Sequence, residues 1–181
     1  MKKYFLFSFV LTASCLLSQP LIAHSEPEKT LSDVPTFPKN EIKINLAFLY
    51  APALQVYYEY LINDESGIGF SVMKSFNNET FFYDHQVLGF YRFYFGKKPA
   101  DGFFAELNVA AYTYDENYWT NIFRSNPLER KDIFTGGAGI SFGWKFVTKN
   151  NIVFELLTGG GRSFFHPSFY LQGAVTIGKR F

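Results

Sequence analysis

The sequence predicts an all-β protein: an eight-stranded antiparallel up-and-down transmembrane β-barrel preceded by a signal peptide. Three observations support this fold class. Apolar and polar residues alternate in eight successive runs, aromatic residues make up 20% of the chain, and short turns on one side are set against a long connection on the other. Alternation with a period of two is typical of strands with one apolar face, and aromatic residues are enriched in strands.

Residues 1–23 are predicted to form the signal peptide. Two lysines follow Met1, and the apolar stretch from Phe5 to Leu17 is too short to cross a bilayer as a helix. We expect cleavage after Ala23, which would send the chain out of the cytoplasm. The single cysteine, Cys15, lies inside the apolar stretch and would be discarded with it; a lipoprotein acylation site is the alternative.

Residues 24–40 are polar and rich in proline, and we interpret them as a flexible periplasmic lead-in. The barrel domain is predicted to span residues 41–181. The net charge of the whole chain is +1, and no basic stripe is visible. Nucleic acid is therefore not expected as a partner.

The eight runs are long enough for the roughly 9–11 residues that a tilted strand needs to cross a bilayer. They are Glu41 to Tyr50, Leu54 to Ile62, Gly67 to Phe76, Phe81 to Phe95, Phe103 to Tyr114, Phe134 to Val147, Ile152 to Ser163 and Phe169 to Phe181.

Alternation alone does not say whether the apolar face points inward or outward. The polar face mixes glycines with large aromatic residues, which suits a narrow barrel interior where large side chains fill the space beside glycines. If the N-terminus is periplasmic, the periplasmic turns 63–66, 96–102 and 148–151 are short, and the loop 115–131 on the opposite side is long, as in outer-membrane barrels. A soluble periplasmic β-barrel or β-sandwich that binds a small ligand is the alternative.

Aromatic residues of the apolar face fall near both ends of the runs, as expected for two membrane girdles. The periplasmic set comprises Tyr58, Tyr60, Tyr91, Phe93, Phe95, Phe103, Trp144, Phe146 and Phe181. The outer set comprises Tyr50, Phe76, Phe81, Tyr83 and Phe169.

Charged residues of both signs fall on the polar face of the runs. Because an isolated buried charge is costly, we expect these residues to form a structural network of ion pairs inside the barrel. An ion path through a narrow pore is the alternative. The six residues are Glu59, Arg92, Glu106, Lys145, Glu155 and Arg180.

The stretch FYRFYFGKKPADGFFAE, residues 90–106, resembles an uncharacterised outer-membrane family, domain of unknown function 3575. The segments GWKFVTKNNIVFELLTGGGRSF (143–164) and VTIGKRF (175–181) are similar to the same family. The resemblance covers roughly residues 41–181 and implies a membrane β-barrel of a Gram-negative outer membrane, with no assigned activity. The terminal Phe181 also resembles the signal that the barrel-assembly machinery reads.

Other candidate sites are weak. His166 and Ser168 resemble the His-x-Ser pair of lipid A deacylases, but no acid follows Glu155 to orient the histidine, so an enzyme is not expected. His24 and His85 have no evident metal partners, and the glycine runs lack the helix and lysine of a phosphate loop, so no cofactor or metal is predicted. Three function classes stay open: a structural or surface-interaction barrel, a narrow pore and a lipid-modifying enzyme.

The start of the long loop carries several aromatic residues that could contact an extracellular ligand, whose identity the sequence does not give. Anchoring of the loop at the lipid headgroups is the alternative. The candidates are Tyr114, Tyr118 and Trp119.

Overall fold

The computed structural model describes residues 37–50, 52–77, 82–126, 128–165 and 169–181. The predicted signal peptide, Cys15, most of the lead-in and residues 166–168 lie outside these ranges. The elements, in chain order, are β1 Asn40–Asn45, α1 Ala47–Tyr50, β2 Ala53–Asn63, β3 Ser66–Ser75, β4 Tyr83–Tyr94, β5 Gly102–Asp115, α2 Tyr118–Ile122, β6 Asp132–Val147, β7 Ile152–Ser163 and β8 Phe169–Arg180.

The strands form a closed antiparallel barrel in which each strand pairs with its neighbours in the sequence and β1 pairs with β8. This is the predicted eight-stranded up-and-down topology. None of the described helices is both long enough and apolar enough to span a membrane.

The barrel has two distinguishable ends. The end at which β1 begins and β8 finishes, here called the termini end, carries the turns 64–65, 95–101 and 148–151. The opposite end, here called the loop end, carries α1 and the long connection with α2. One turn at the termini end needs glycine: Gly102 has a φ of 89°, and a Cβ on it would lie 3.1 Å from the Gly96 Cα.

Side chains alternate between the two faces of the barrel wall along the regular parts of the strands. In β2, for example, Gln55, Tyr57 and Glu59 are buried, whereas Leu54 and Tyr60 are exposed. The outward face is apolar over the middle of the strands, with members such as Ile68, Phe70, Leu107, Val109, Ile140, Phe142 and Leu156. The polar face therefore lines the interior, and the apolar face surrounds the barrel.

Exposed aromatic side chains mark both ends of this apolar face. At the termini end they include Tyr60, Phe93, Phe95, Phe103, Trp144, Phe146 and Phe181. At the loop end they include Phe76, Phe134, Phe164, Phe165 and Phe169. The Phe81 position and the Tyr50 side chain, both predicted for the second set, lie outside the described parts of the structure.

The first strand is shorter than predicted. The run Glu41 to Tyr50 was expected to be one strand, but β1 ends at Asn45 and the chain turns into α1. The Asn45 Oδ1 accepts a hydrogen bond from the Ala47 N–H at 3.1 Å, a local turn that asparagine side chains favour. This side-chain bond stops the strand, although the apolar alternation continues through Leu46 and Phe48.

Tyr83 does not belong to the outward girdle as predicted. A register shift lies between Tyr83 and His85, where β4 pairs with β5. A bulge of this kind reverses the face that a side chain occupies. The Tyr83 ring consequently packs edge-on against the buried Tyr112, with 5.6 Å between their centroids.

The barrel unit begins at Phe37, slightly before the predicted domain start at residue 41. The Leu61 N–H donates a hydrogen bond to the Lys39 carbonyl at 2.7 Å, and the Phe37 ring lies 6.0 Å from the Arg180 guanidinium. The last residues of the predicted lead-in are thus fixed to the termini end.

Candidate functional site

The interior of the termini-end half holds a network of charged side chains. It contains the carboxylates Glu41, Glu59, Glu106 and Glu155 and the cations Lys43, Arg92, Lys145 and Arg180, which balance in number. The side chains are between 0% and 5% exposed. We call this set the charge network.

All six residues predicted for an interior network fall within this set. The strand alternation places each of them on the inward face, and the antiparallel registers Arg92↔Glu106 and Lys145↔Glu155 set two oppositely charged pairs side by side on neighbouring strands. Cross-strand neighbours of opposite charge stabilise a sheet. The strand registers therefore bring inward charges of opposite sign into direct contact inside the barrel.

Sequence reasoning missed Glu41 and Lys43 as members of the network. Both lie on β1, where they alternate with the outward Ile42 and Ile44, and this alternation could have identified them as inward residues. The Lys43 Nζ lies 2.9 Å from Glu41 Oε2, 2.5 Å from Glu59 Oε2 and 2.7 Å from Glu155 Oε1. Lys43 is therefore a central cation of the network.

Lys145 joins the same three carboxylates from the opposite wall. Its Nζ lies 2.8 Å from Glu41 Oε2, 3.0 Å from Glu59 Oε2 and 3.1 Å from Glu155 Oε1. It also donates to the Tyr94 hydroxyl at 2.5 Å, and that hydroxyl donates to Glu59. Tyr94 is thus a neutral partner of the charge network, which the sequence did not indicate because a tyrosine carries no charge.

Arg92 connects the network to the part of the interior that lies nearer the loop end. Its Nε lies 2.8 Å from Glu106 Oε2, and its Nη1 lies 2.9 Å from Glu59 Oε2 and 3.0 Å from Glu155 Oε1. The guanidinium is stacked between two rings, with its Cζ 4.4 Å from the Phe90 centroid and 4.5 Å from that of Phe104. Arg92 is buried on every side.

Arg180 closes the network at the termini end. Its Nε and Nη2 both lie 2.8 Å from Glu41 Oε1. Its remaining donors bind the turn between β4 and β5: Nη1 donates to the Pro99 carbonyl at 3.0 Å and Nη2 to the Ala100 carbonyl at 2.8 Å. This arginine fastens β8 to a turn on the other side of the barrel.

Three of the carboxylates, Glu41, Glu59 and Glu155, place oxygens within 4.8 Å of one another, a spacing that could hold a metal ion. Each of these oxygens already accepts a hydrogen bond from Lys43 or Lys145. The two ammonium groups supply the positive charge that a metal would bring. The chemistry of the cluster is therefore that of an internal ion-pair network.

A layer of amide and hydroxyl side chains lies on the loop-end side of the charge network. Asn108 Nδ2 donates to Ser141 Oγ and to Gln172 Oε1, each at 3.0 Å, and Gln172 Nε2 donates to Glu106 Oε1 at 3.1 Å. Glu106 thus belongs to both layers. On the other wall, Asn45 Nδ2 donates to Gln55 Oε1 at 2.8 Å.

Aromatic rings fill the interior at the loop end. Tyr112 packs against Tyr170 with 5.5 Å between centroids, and Phe82 packs against Tyr114 at 5.3 Å and Tyr118 at 5.5 Å. Glycines face Tyr170: a Cβ on Gly137 would lie 2.9 Å from its Cε1. Large and small side chains from facing walls complement each other, as the sequence predicted.

The three predicted loop-contact residues occupy different environments. Tyr114 belongs to β5 and is only 7% exposed, so its ring packs inside the barrel instead of presenting a surface. Tyr118 lies in α2 and is half-buried against Phe82. The side chain of Trp119 is outside the described parts of the structure.

The loop itself is held by its own hydrogen bonds. Asn121 Nδ2 donates to the Leu128 carbonyl at 3.0 Å, and the Leu128 N–H donates back to Asn121 Oδ1 at 2.8 Å. At its base, Glu116 Oε2 lies 2.6 Å from Lys131 Nζ, and this hydrogen bond raises the pKa of the Lys131 ammonium. The loop, with α2, is therefore an ordered platform at the loop end, next to the aromatic layer.

Phe181, the predicted assembly signal, follows β8 at the termini end. Its backbone exchanges hydrogen bonds with Asn40, at 3.0 and 2.8 Å, and its side chain is 58% exposed. His166 and Ser168, the pair that resembles a lipid A deacylase site and for which no enzyme was expected, lie outside the described residues.

Comparisons with known proteins support the fold. The structure is similar to the N-terminal β-barrel domain of Pseudomonas aeruginosa OprF, with a TM-score of 0.56, 13% sequence identity, and coverage of 80% of this chain and 98% of that domain. No protein-family model matches the chain, and no curated protein matches it in sequence. At this identity the likeness shows a shared barrel fold.

Proposed function

We propose that the protein is an integral outer-membrane β-barrel of a Gram-negative bacterium, of structural or surface-interaction type, with an interior closed by side chains. One observation carries the proposal: the polarity of the barrel is inverted. Soluble proteins seldom expose contiguous apolar patches larger than a few hundred Å², whereas here the apolar face surrounds the wall and the charges lie inside.

The arrangement of the outer face supports a membrane location. Outward charges lie near the strand ends, at Lys74, Arg162 and Lys179, and the strand centres are apolar. Exposed aromatic residues border the apolar band on both sides. Membrane barrels combine an apolar band, two aromatic girdles and a polar interior in this way.

The filled interior supports a structural role over a pore. Arg92, Lys43 and Lys145 are fully buried and fill the cross-section at the level of the charge network. An eight-stranded barrel is just wide enough for side chains to fill it. We infer that ions do not pass this layer, and that the partners of the protein are outer-membrane lipid and, through Phe181, the barrel-assembly machinery.

The resemblance to domain of unknown function 3575, the signal peptide and the absence of an enzymatic role stay predictions from the sequence. Export followed by assembly from the periplasm would place the termini end at the periplasmic surface. The loop end, with its α2 platform, would then face the outside.

Gel mobility of the protein from isolated outer membranes, heated against unheated, tests the proposal. Folded membrane barrels resist detergent, so we expect the unheated protein to migrate differently from the boiled one and to fractionate with the outer membrane. A protein recovered in the soluble periplasmic fraction without a mobility shift would contradict the proposal. Step-like conductance of the purified barrel in planar bilayers would contradict the closed interior.

A further inference from the structure

The barrel wall is not uniformly closed. β1 ends at Asn45, whose partner on β8 is Thr176, but β8 extends to Phe169 at the loop end. Along the segment Phe169–Val175, the place of a continuing β1 is taken by α1. We call the gap between α1 and this part of β8 the seam.

One backbone hydrogen bond crosses the seam at its inner end, from the Leu46 N–H to the Val175 carbonyl at 2.7 Å, and two side chains bind further backbone groups of β8. Asn45 Nδ2 donates to the Gly173 carbonyl at 3.2 Å, and the Val175 N–H donates to Asn45 Oδ1 at 3.1 Å. Further toward the loop end, the Leu171 N–H donates to the Tyr83 hydroxyl at 3.3 Å.

A cavity of about 490 Å³ lies at the seam. It reaches both faces of β8, because Gln172 points inward, whereas Leu171 and Gly173 point outward. Its lining is mainly apolar and aromatic and includes Phe48 of α1, the rings of Phe82, Tyr83 and Tyr118, and Thr158 and Gly159 of β7. Small-molecule sites have volumes of roughly 300–1,000 Å³ and this kind of lining.

The mouth of the cavity opens onto the apolar outer face of the barrel. The outward-facing Thr158, Leu171 and Gly173 belong to its lining, and a Cβ on Gly173 would meet no atom within 4 Å, so the outer side of the cavity is open at this point. Arg162 is exposed on β7 and is the cross-strand neighbour of Phe169, which lines the cavity on its loop-end side. An apolar slot with a cation at its outer rim is complementary to a hydrocarbon chain with an anionic head.

We propose that the seam cavity binds the acyl chain of an anionic membrane amphiphile, which enters sideways from the bilayer between α1 and β8. The head group lies at Arg162, and the chain passes Gly173 toward Gln172 and the aromatic layer. The inference rests on the proposed membrane location, because only a lipid-facing mouth meets acyl chains directly.

Spin-label spectroscopy on the full barrel in phosphatidylcholine vesicles tests the proposal. Two probes are used: stearate and phosphatidylglycerol, each carrying a nitroxide on the acyl chain. We expect a strongly immobilised component for at least one probe, beyond that of lipid at the barrel surface. Stearate would identify a free fatty acid as the source, and phosphatidylglycerol would identify a membrane phospholipid.

Two outward glycines provide a matched pair of variants. Gly173→Phe places a ring in the mouth, where a side chain meets no neighbour, and should abolish the immobilised component. Gly89→Phe adds the same ring on β4, where a Cβ would be 3.8 Å from Val109 Cγ2, and should leave the component unchanged. Equal immobilisation in the wild type and both variants would overturn the proposal.

Arg162→Gln tests the head-group contact. Loss of a charge-assisted contact should weaken binding of the immobilised anionic probe about tenfold and leave the methyl ester of labelled stearate unaffected. An unchanged affinity for both anionic probes would overturn the role of Arg162. Gel mobility of the same samples separates the two claims. A protein that does not insert into the vesicles would contradict the proposed function. An inserted barrel that shows no Gly173-dependent immobilised component would contradict only the acyl-chain site.

Discussion

The termini-end and loop-end halves of the barrel are built on the same alternation but hold their interiors together differently. In the termini-end half, β1 pairs with both neighbours, and charges fill the centre in direct contact. In the loop-end half, β1 has ended, and aromatic rings and amides fill the interior beside the seam. The charge network thus lies in the half in which every strand of the wall is paired.

This difference follows from the cost of burying charge. An ion pair in a low-dielectric interior is tolerated only when its geometry is good and its remaining donors are bonded, which requires fixed walls. Aromatic rings carry no charge, so beside an incompletely paired wall they do not incur the cost of an unpaired buried ion. The paired half therefore acts as a rigid plug, and the half with the seam is the one that can admit a ligand.

The largest expected effect comes from breaking the charge network. Arg92→Met removes the cation that contacts Glu59, Glu106 and Glu155 and leaves these carboxylates with fewer partners. Removing one partner of a buried ion pair typically lowers the free energy of unfolding by about 3–5 kcal/mol. Urea unfolding of the barrel in lipid vesicles, followed by tryptophan fluorescence, measures the loss.

Lys74→Met is the control for that measurement. Lys74 pairs with Asp84 at 2.8 Å, but its side chain is 45% exposed. Surface ion pairs contribute about 0–1 kcal/mol, so the variant should unfold almost as the wild type does. Equal losses of unfolding free energy in the two variants would show that the buried ion pairs stabilise the barrel no more than an exposed pair does.

A medium effect is expected where a glycine faces a buried ring. A Cβ on Gly143 would collide with Phe104 and the Leu156 carbonyl, whereas a Cβ on Gly173 would meet nothing. Gly143→Val should therefore cost about 1–3 kcal/mol of unfolding free energy through overpacking. Gly173→Val, on the outer face, should cost less in the same urea titration. A larger loss for Gly173→Val than for Gly143→Val would contradict the assignment of Gly143 to the inner face and Gly173 to the outer face.

The smallest effect concerns the seam. Tyr83→Phe removes the hydroxyl that accepts from the Leu171 N–H and should cost about 0.5–1.5 kcal/mol. The change should appear locally, as faster hydrogen exchange of the Leu171 amide, with the exchange of the termini-end strands unchanged. Tyr91→Phe, on the outward face of β4, serves as the control. Unchanged exchange at Leu171 would mean that Tyr83 does not fasten the seam.

The sequence predicted the barrel and the inward charges because both depend on a period of two. Where strands are regular, the alternation alone places Glu59, Arg92 and Glu155 on the inner surface, and closure of the barrel brings them into contact. The alternation no longer predicts the face of a side chain where a local hydrogen bond or a register shift interrupts the strand. The Asn45 turn ended β1 early, and the shift beside Tyr83 reversed one side chain, since neither feature alters the apolar pattern.

The seam could not be predicted for the same reason. It arises from the unequal lengths of β1 and β8, and the apolar alternation beyond Asn45 reads as a continuing strand. Glu41, Lys43 and Tyr94, by contrast, lie in regular strands and on the predicted inward face. Contacts among them required the register across the barrel, which no single run of sequence contains.

The inverted polarity of the barrel is tested most directly by quenching Trp144 with brominated lipids. The chain has two tryptophans, and Trp119→Phe leaves Trp144, which is 47% exposed on the outer face near the termini end. We predict that bromines close to the headgroups quench its fluorescence more than bromines at the chain ends, and that aqueous iodide quenches it weakly. Strong quenching by iodide with none by any brominated lipid would contradict a lipid-facing outer surface.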